Sequence, residues 1–110
     1  MSRRLAAVLA APLPVLLSAG CTTAAAAPAA VVEIQDLRFT PQAVTVAPGS
    51  TVEWRFDDGG LYHHVHADDG SFDSDVVGEG TYSVTFDEVG THPYVCSIHP
   101  YMTGTVTVSG

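Results

Sequence analysis

The chain has 110 residues, which is enough for one compact domain and too few for two of ordinary size. All twelve acidic residues lie after residue 30, where Arg38 and Arg55 are the only fixed positive charges, so residues 31–110 carry a net charge of −10 with neutral histidines. Such a surface repels phosphate, which excludes nucleic acid as an expected partner and favours either high solubility or attraction to basic proteins.

The first twenty residues have the three-part layout of a secretory signal peptide: two arginines, an apolar run over residues 5–17, and small residues. The segment ending at Cys21 resembles a bacterial lipoprotein box, in which the cysteine receives a lipid and becomes the first residue of the mature chain. Ordinary cleavage near residues 25–27 is the alternative, and it would release a soluble protein without Cys21. We therefore expect an exported protein, either attached by lipid to the extracytoplasmic face of the membrane or periplasmic or secreted.

Residues 21–30 are rich in alanine and carry no charge, which is typical of a linker. From residue 31 onward the composition changes to short runs of Val, Thr, Tyr and Phe separated by turn residues. The predicted organisation is thus a signal peptide over residues 1–20, a linker over residues 21–30, and one folded domain over residues 31–110.

No stretch of the folded domain has sustained helical spacing, and its apolar residues follow strand-like patterns. Trp54 is the expected anchor of the core, and residues 68–75 form an acidic loop. These patterns predict an all-β Greek-key β-sandwich of about seven to eight strands. The predicted strands cover residues 31–37, 43–46, 51–56, 63–67, 81–86, 92–96 and 103–109.

A thiol, an imidazole and a thioether follow one another at intervals of three residues, as Cys96, His99 and Met102. Copper favours thiolate and imidazole in a trigonal arrangement with a weak axial thioether, whereas zinc usually takes no methionine. Taken singly, Cys96 could be a buried inert residue and Met102 a core residue. Their joint spacing favours copper, with a fourth ligand from the histidine-rich residues 62–66.

With this motif the domain resembles the cupredoxins, the blue-copper family of plastocyanin and amicyanin. The last-loop motif of that family is matched by Tyr94, Cys96, His99 and Met102, and the two-residue gap before the methionine most resembles amicyanin. The resemblance implies a cupredoxin fold and one type 1 copper ion.

The upstream motif of the family, Pro-His-Asn-Val or Pro-His-Thr-Val, aligns with residues 62–65. The resemblance therefore implies that His63 is the fourth ligand and that His64 occupies the variable position. Tyr62 replaces the usual proline. The neighbourhood in which the family commonly has an asparagine that ties the two ligand loops together is occupied by Phe56 and Asp57.

Alternation along the predicted strand supports the same choice of ligand. His63 shares a face with Val65, the only apolar residue nearby, whereas His64 and His66 share the opposite face and are expected to point to solvent. A β-bulge at the preceding glycine pair would exchange the two faces. His92 is expected to be a strand residue with an exposed ring and no ligand role.

The ligand set indicates electron transfer, with copper cycling between Cu(II) and Cu(I). Four ligands leave no open coordination position, so the protein is not expected to be an enzyme. The resemblance implies that the ring of His99 reaches the surface within an apolar patch. We therefore expect electrons to pass through His99, docking with redox partner proteins to be transient, and the protein to be a monomer. The alternative is a copper-binding or copper-delivery module, with His64 and His66 as an auxiliary exposed site.

Overall fold

The computed structural model describes residue 12 and residues 27–110. The predicted signal peptide, the lipid site at Cys21 and most of the predicted linker lie outside the described residues. In the described part all regular structure is β-strand, and no helix there could span a membrane. The strands are β1 (Ala30–Gln35), β2 (Arg38–Thr40), β3 (Ala43–Val46), β4 (Ser50–Asp57), β5 (His66–Ala67), β6 (Glu79–Phe86), β7 (Gly90–Cys96) and β8 (His99–Val108).

Two four-stranded sheets pack into a sandwich, with the strand orders β2-β1-β4-β6 and β3-β8-β7-β5. Both sheets are mixed, because β1 pairs with β4 in parallel and β3 pairs with β8 in parallel, while the remaining pairs are antiparallel. The predicted all-β sandwich is confirmed, and its eight strands fall within the expected number.

Two predicted strand assignments differ from the structure. The short strand β2 was not predicted; it follows a tight turn in which Asp36 and Leu37 have positive φ angles of 51° and 58°. The predicted strand over residues 63–67 is wrong for most of its length, because only β5 forms a regular pair. Before β5, His63 makes only an isolated bridge to Val77.

The core lies between the sheets and is centred on Trp54, which has no exposed surface. Its indole ring packs against Phe72, Tyr82, Phe86 and Tyr94, with ring centroids 5.3 to 6.3 Å apart. Aromatic side chains bury large areas and favour the tilted and edge-to-face contacts seen here. Trp54 is therefore the core anchor that the sequence predicts, and it stabilises both sheets against each other.

Candidate metal centre

The C-terminal hairpin positions three of the four predicted ligands. Cys96 is the last residue of β7, His99 is the first residue of β8, and Met102 lies three residues further along β8. The strands are joined by the two-residue turn Ser97–Ile98, and the pairing register shifts between Val95 and Cys96. The structure thus makes His99 and Met102 part of the last strand rather than of a loop before it.

His63 reaches the same region from the segment between β4 and β5. Its backbone N–H donates to the carbonyl of Val77 at 3.0 Å, and its own carbonyl accepts from Val77 at 3.1 Å. Its side chain and that of Cys96 have no exposed surface, and Met102 is 2% exposed. His99 is half-buried. The site therefore has a buried interior, and His99 is its most exposed ligand.

The donor atoms have the spacing that one metal ion requires. Cys96 Sγ lies 3.8 Å from Nδ1 of His63 and 3.6 Å from Nδ1 of His99. The three donor atoms all lie within 4.8 Å of one another. Metal–sulfur and metal–nitrogen bonds of about 2.3 and about 2.0 Å at a trigonal angle separate the two donors by about 3.7 Å. The residues therefore fit an ion held by one thiolate and two imidazoles.

A carboxylate that the sequence reasoning missed determines which nitrogen of His63 faces the thiol. Asp58 Oδ2 lies 2.8 Å from Nε2 of His63, and the Asp58 side chain is only 18% exposed. The hydrogen bond from His63 lowers the pKa of Asp58 below its ordinary value, and a backbone hydrogen bond from Leu37 acts in the same direction. Because the resulting carboxylate can only accept, His63 carries its proton on Nε2 and directs the lone pair of Nδ1 towards Cys96.

Asp58 is itself held by the turn between β1 and β2. The backbone N–H groups of Asp36 and Leu37 each donate to its carboxylate at 3.1 Å. No linear motif relates Asp58 to His63, although the acidic pair Asp57-Asp58 five residues before a candidate ligand could have suggested a supporting carboxylate. The contact orients a ligand in the way that carboxylates commonly orient metal-bound histidines.

The expectation that His64 points to solvent is wrong. Its side chain is only 12% exposed, its Nδ1 lies 2.5 Å from the hydroxyl of Ser97, and its Nε2 contacts Asp73. The backbone N–H of His64 also donates to Cys96 Sγ at 3.4 Å. His64 therefore ties the two ligand segments together, a role for which the sequence offered no obvious residue.

The expectation that His64 and His66 share a face agrees with the structure, in which their rings stack with centroids 5.4 Å apart. The ring of His92 is half-buried rather than exposed. It packs against Phe86 at 5.4 Å, and its Nε2 lies 2.9 Å from the carbonyl of Glu88, away from the cluster of donors.

Fold and site together define a class of protein, a β-sandwich with a Cys-His-His donor set, two of whose members are buried, and a buried methionine on the same hairpin, which suits type 1 copper. A family model described as "Cupredoxin-like domain" matches residues 5–108. The chain belongs to the cupredoxin family of blue-copper proteins.

Individual relatives agree with this assignment. The chain is 37% identical over 83 residues to amicyanin-alpha of Methylorubrum extorquens, a match that covers 70% of this chain and 69% of the relative. A purple cupredoxin from Nitrosopumilus maritimus is 27% identical, with a TM-score of 0.66 over 73% of this chain and 99% of its own. A copper-containing nitrite reductase from Thermus scotoductus is 29% identical, with a TM-score of 0.69, over 76% of this chain. The present chain spans only 23% of that reductase.

Proposed function

We propose that this protein transfers electrons by cycling one type 1 copper ion between Cu(II) and Cu(I), with His63, Cys96, His99 and Met102 as its ligands. The observation that carries the proposal is the convergence of Cys96 Sγ with Nδ1 of His63 and of His99. Thiolate and imidazole donors bind copper in both oxidation states, and a weak axial thioether adjusts its reduction potential.

The same ligand set supports a carrier rather than an enzyme. With four protein ligands, the copper has no open position at which a substrate could bind or water could be activated. The similarity to the copper-containing nitrite reductase concerns less than a quarter of that chain. This similarity supports a shared domain fold and gives no support for nitrite reduction by this protein.

We propose that electrons enter and leave through the ring of His99. This half-buried ligand is followed by Tyr101, which is 67% exposed and has its ring centroid 6.0 Å from that of His99. Ile98, Leu61 and Tyr62 are also exposed apolar residues, and each is within two residues of a ligand in sequence. A small apolar surface at the point of electron exit suits brief docking of a monomeric carrier with redox partner proteins.

The acidic surface adds a bias to that docking. Residues 31–110 carry a net charge of −10, which attracts basic partners and repels nucleic acid.

We further propose export, with attachment to the extracytoplasmic face of the membrane through a lipid on Cys21. Mass spectrometry of the membrane-derived protein tests this, and a mature chain that begins after Cys21 would contradict it in favour of a periplasmic or secreted form.

Copper delivery is the second candidate function, favoured by one observation. The structure contains a second group of potential ligands, His64, His66 and Asp73, and the backbone N–H of His64 donates to Cys96 Sγ of the first group. A delivery protein would bind Cu(I) without colour, whereas a Cu(II)–thiolate centre absorbs intensely in the visible range. The visible spectrum of the copper-loaded protein therefore separates the two functions.

The proposed ligands are tested by absorption and electron paramagnetic resonance of copper-loaded variants. We expect Cys96→Ser to lose the visible band, because a hydroxyl is a poor soft ligand. His63→Ala should also lose the native spectrum, while the matched control His92→Ala, a histidine outside the cluster, should keep it. A native spectrum in either of the first two variants would contradict the assignment.

A further inference from the structure

Three side chains outside the proposed copper site converge on one point of the surface. Nε2 of His64 contacts Asp73, and Nδ1 of His66 lies 3.1 Å from the same carboxylate oxygen, Oδ1 of Asp73. The donor atoms of the three residues all lie within 4.8 Å of one another. Two ligand atoms with metal bonds of about 2.0 to 2.1 Å at ordinary coordination angles stand about 3 Å apart. The pair formed by His66 and Asp73 has this spacing, and the three donor atoms are close enough together to share one ion.

Strand pairing and hydrogen bonds hold two of these residues, His66 and Asp73, in place. His66 belongs to β5, which pairs with β7, and it also forms a bridge to Asp73. The N–H of Asp73 donates to the hydroxyl of Tyr82 at 3.0 Å. The loop between them is closed by a hydrogen bond from the N–H of Ala67 to the carbonyl of Phe72 at 2.9 Å. A ligand set supported in this way loses little conformational freedom when it binds an ion.

The hydrogen-bond partner of His64 also suits a metal ligand. A histidine that binds metal through one ring nitrogen usually donates its other N–H to a neighbouring acceptor. The Nδ1 of His64 lies beside the hydroxyl of Ser97, which can accept as well as donate a hydrogen bond. Nε2 can therefore bind a cation while Nδ1–H remains satisfied.

Charge and access favour a cation from solvent. The side chains of His64, His66 and Asp73 are 12%, 38% and 57% exposed, so one side of the cluster is open. Across residues 27–110 no arginine pairs with Asp73, and the ion pairs of Arg55 go to Glu33 and Glu53. With neutral histidines the cluster carries one negative charge, and its Asp73 belongs to the acidic loop of residues 68–75.

We propose that His64, His66 and Asp73 form a second metal site, which binds one divalent first-row ion of the zinc or copper(II) type. Two imidazoles and one carboxylate are ligands that such ions prefer, whereas calcium and magnesium prefer oxygen ligands alone. The remaining coordination positions face solvent and would hold water. This site is separate from the proposed type 1 centre and holds under either candidate function.

The test counts zinc ions bound to the copper-loaded protein by equilibrium dialysis and metal analysis, with the visible band as a monitor of the first site. We expect one zinc ion per chain and an unchanged copper content. Zinc binding should be lost in His66→Ala and in Asp73→Asn, and kept in the matched controls His92→Ala and Asp75→Asn. Asp73→Asn changes almost no volume, so it decides the question even if His66→Ala folds poorly.

Three results would overturn the second site: no zinc bound by the copper-loaded protein, equal zinc binding in Asp73→Asn and in the parent protein, or zinc that enters only as copper leaves and the visible band fades. In the first case the cluster would be a histidine–aspartate hydrogen-bond group that fastens the loop to β5.

Discussion

Replacing Asp58 with asparagine should raise the reduction potential of the copper centre. The carboxylate accepts the Nε2–H of His63 at 2.8 Å, and His63 has no exposed surface. A negative acceptor on a copper-bound imidazole stabilises Cu(II) more than Cu(I), because Cu(II) places more positive charge on the ring. Asparagine keeps the shape and one acceptor oxygen but removes the charge.

The size of this effect follows from the hydrogen bond. A bond to a charged acceptor contributes about 1.5 to 3 kcal/mol and a neutral one about 0.5 to 1.5 kcal/mol. The midpoints of these two ranges differ by about 1.25 kcal/mol. Because about 1.4 kcal/mol corresponds to about 59 mV for a one-electron couple, we expect the reduction potential to rise by up to about 50 mV. Protein voltammetry measures it directly.

Asp57→Asn is the matched control for this experiment. It removes a neighbouring negative charge whose carboxylate accepts from Gln35 at 2.7 Å instead of from His63. If Asp58→Asn raises the potential no more than Asp57→Asn does, or lowers it, the orienting hydrogen bond has no special influence on the copper and the reasoning is refuted.

Three further changes test other parts of the structure. Met102→Gln should keep the visible band and lower the potential, since a weak axial ligand tunes the copper, and complete loss of copper would contradict that role. Gly104→Ala should reduce the free energy of unfolding, measured in urea, by about 1 to 3 kcal/mol, because a Cβ there would lie 2.2 Å from the buried ring of Tyr94. An unchanged midpoint of urea unfolding would show that the ring can move aside. Burial raises the pKa of Tyr94 to about 12, above its ordinary value of 10.0. The folded state therefore retains this proton. The contribution of the protonated Tyr94 to the free energy of unfolding is complete below pH 10 and is lost as the pH rises towards 12. The free energy of unfolding of metal-free Tyr94→Phe should not fall in this way between pH 10 and 12, and the same pH dependence in both proteins would contradict the prediction.

The sandwich could be predicted well because its long strands are amphipathic, and their alternating pattern is visible in the local sequence without knowledge of the tertiary structure. In β6, for example, Tyr82, Val84 and Phe86 alternate with exposed polar residues, and they are the residues that face the core. The motif of Cys96, His99 and Met102 could be recognised equally well from the sequence, because a two-residue hairpin turn brings residues that are close in sequence together in space.

The surroundings of the site could not be predicted in this way. The alternation argument for His64 assumed a regular strand, whereas His63 makes only a bridge to Val77 and the ring of His64 contacts the hydroxyl of Ser97. Asp58 reaches His63 across a turn held by the β1–β2 connection, a contact that depends on tertiary structure rather than on spacing. Residues of this kind carry no periodicity, and their roles emerge only when separate segments meet.

The position of β8 within its sheet has a consequence for the order of events during biosynthesis. Of the eight strands β8 is made last, yet it lies inside the second sheet, between β3 and β7. Until it has left the ribosome, β3 has no partner in that sheet and β7 lacks its main neighbour. Pairing of β3 with β8 must also bring together segments about sixty residues apart, which is a slow step in folding. The sandwich therefore closes only after synthesis of the strand that carries His99 and Met102, and copper uptake by the complete ligand set must follow that release.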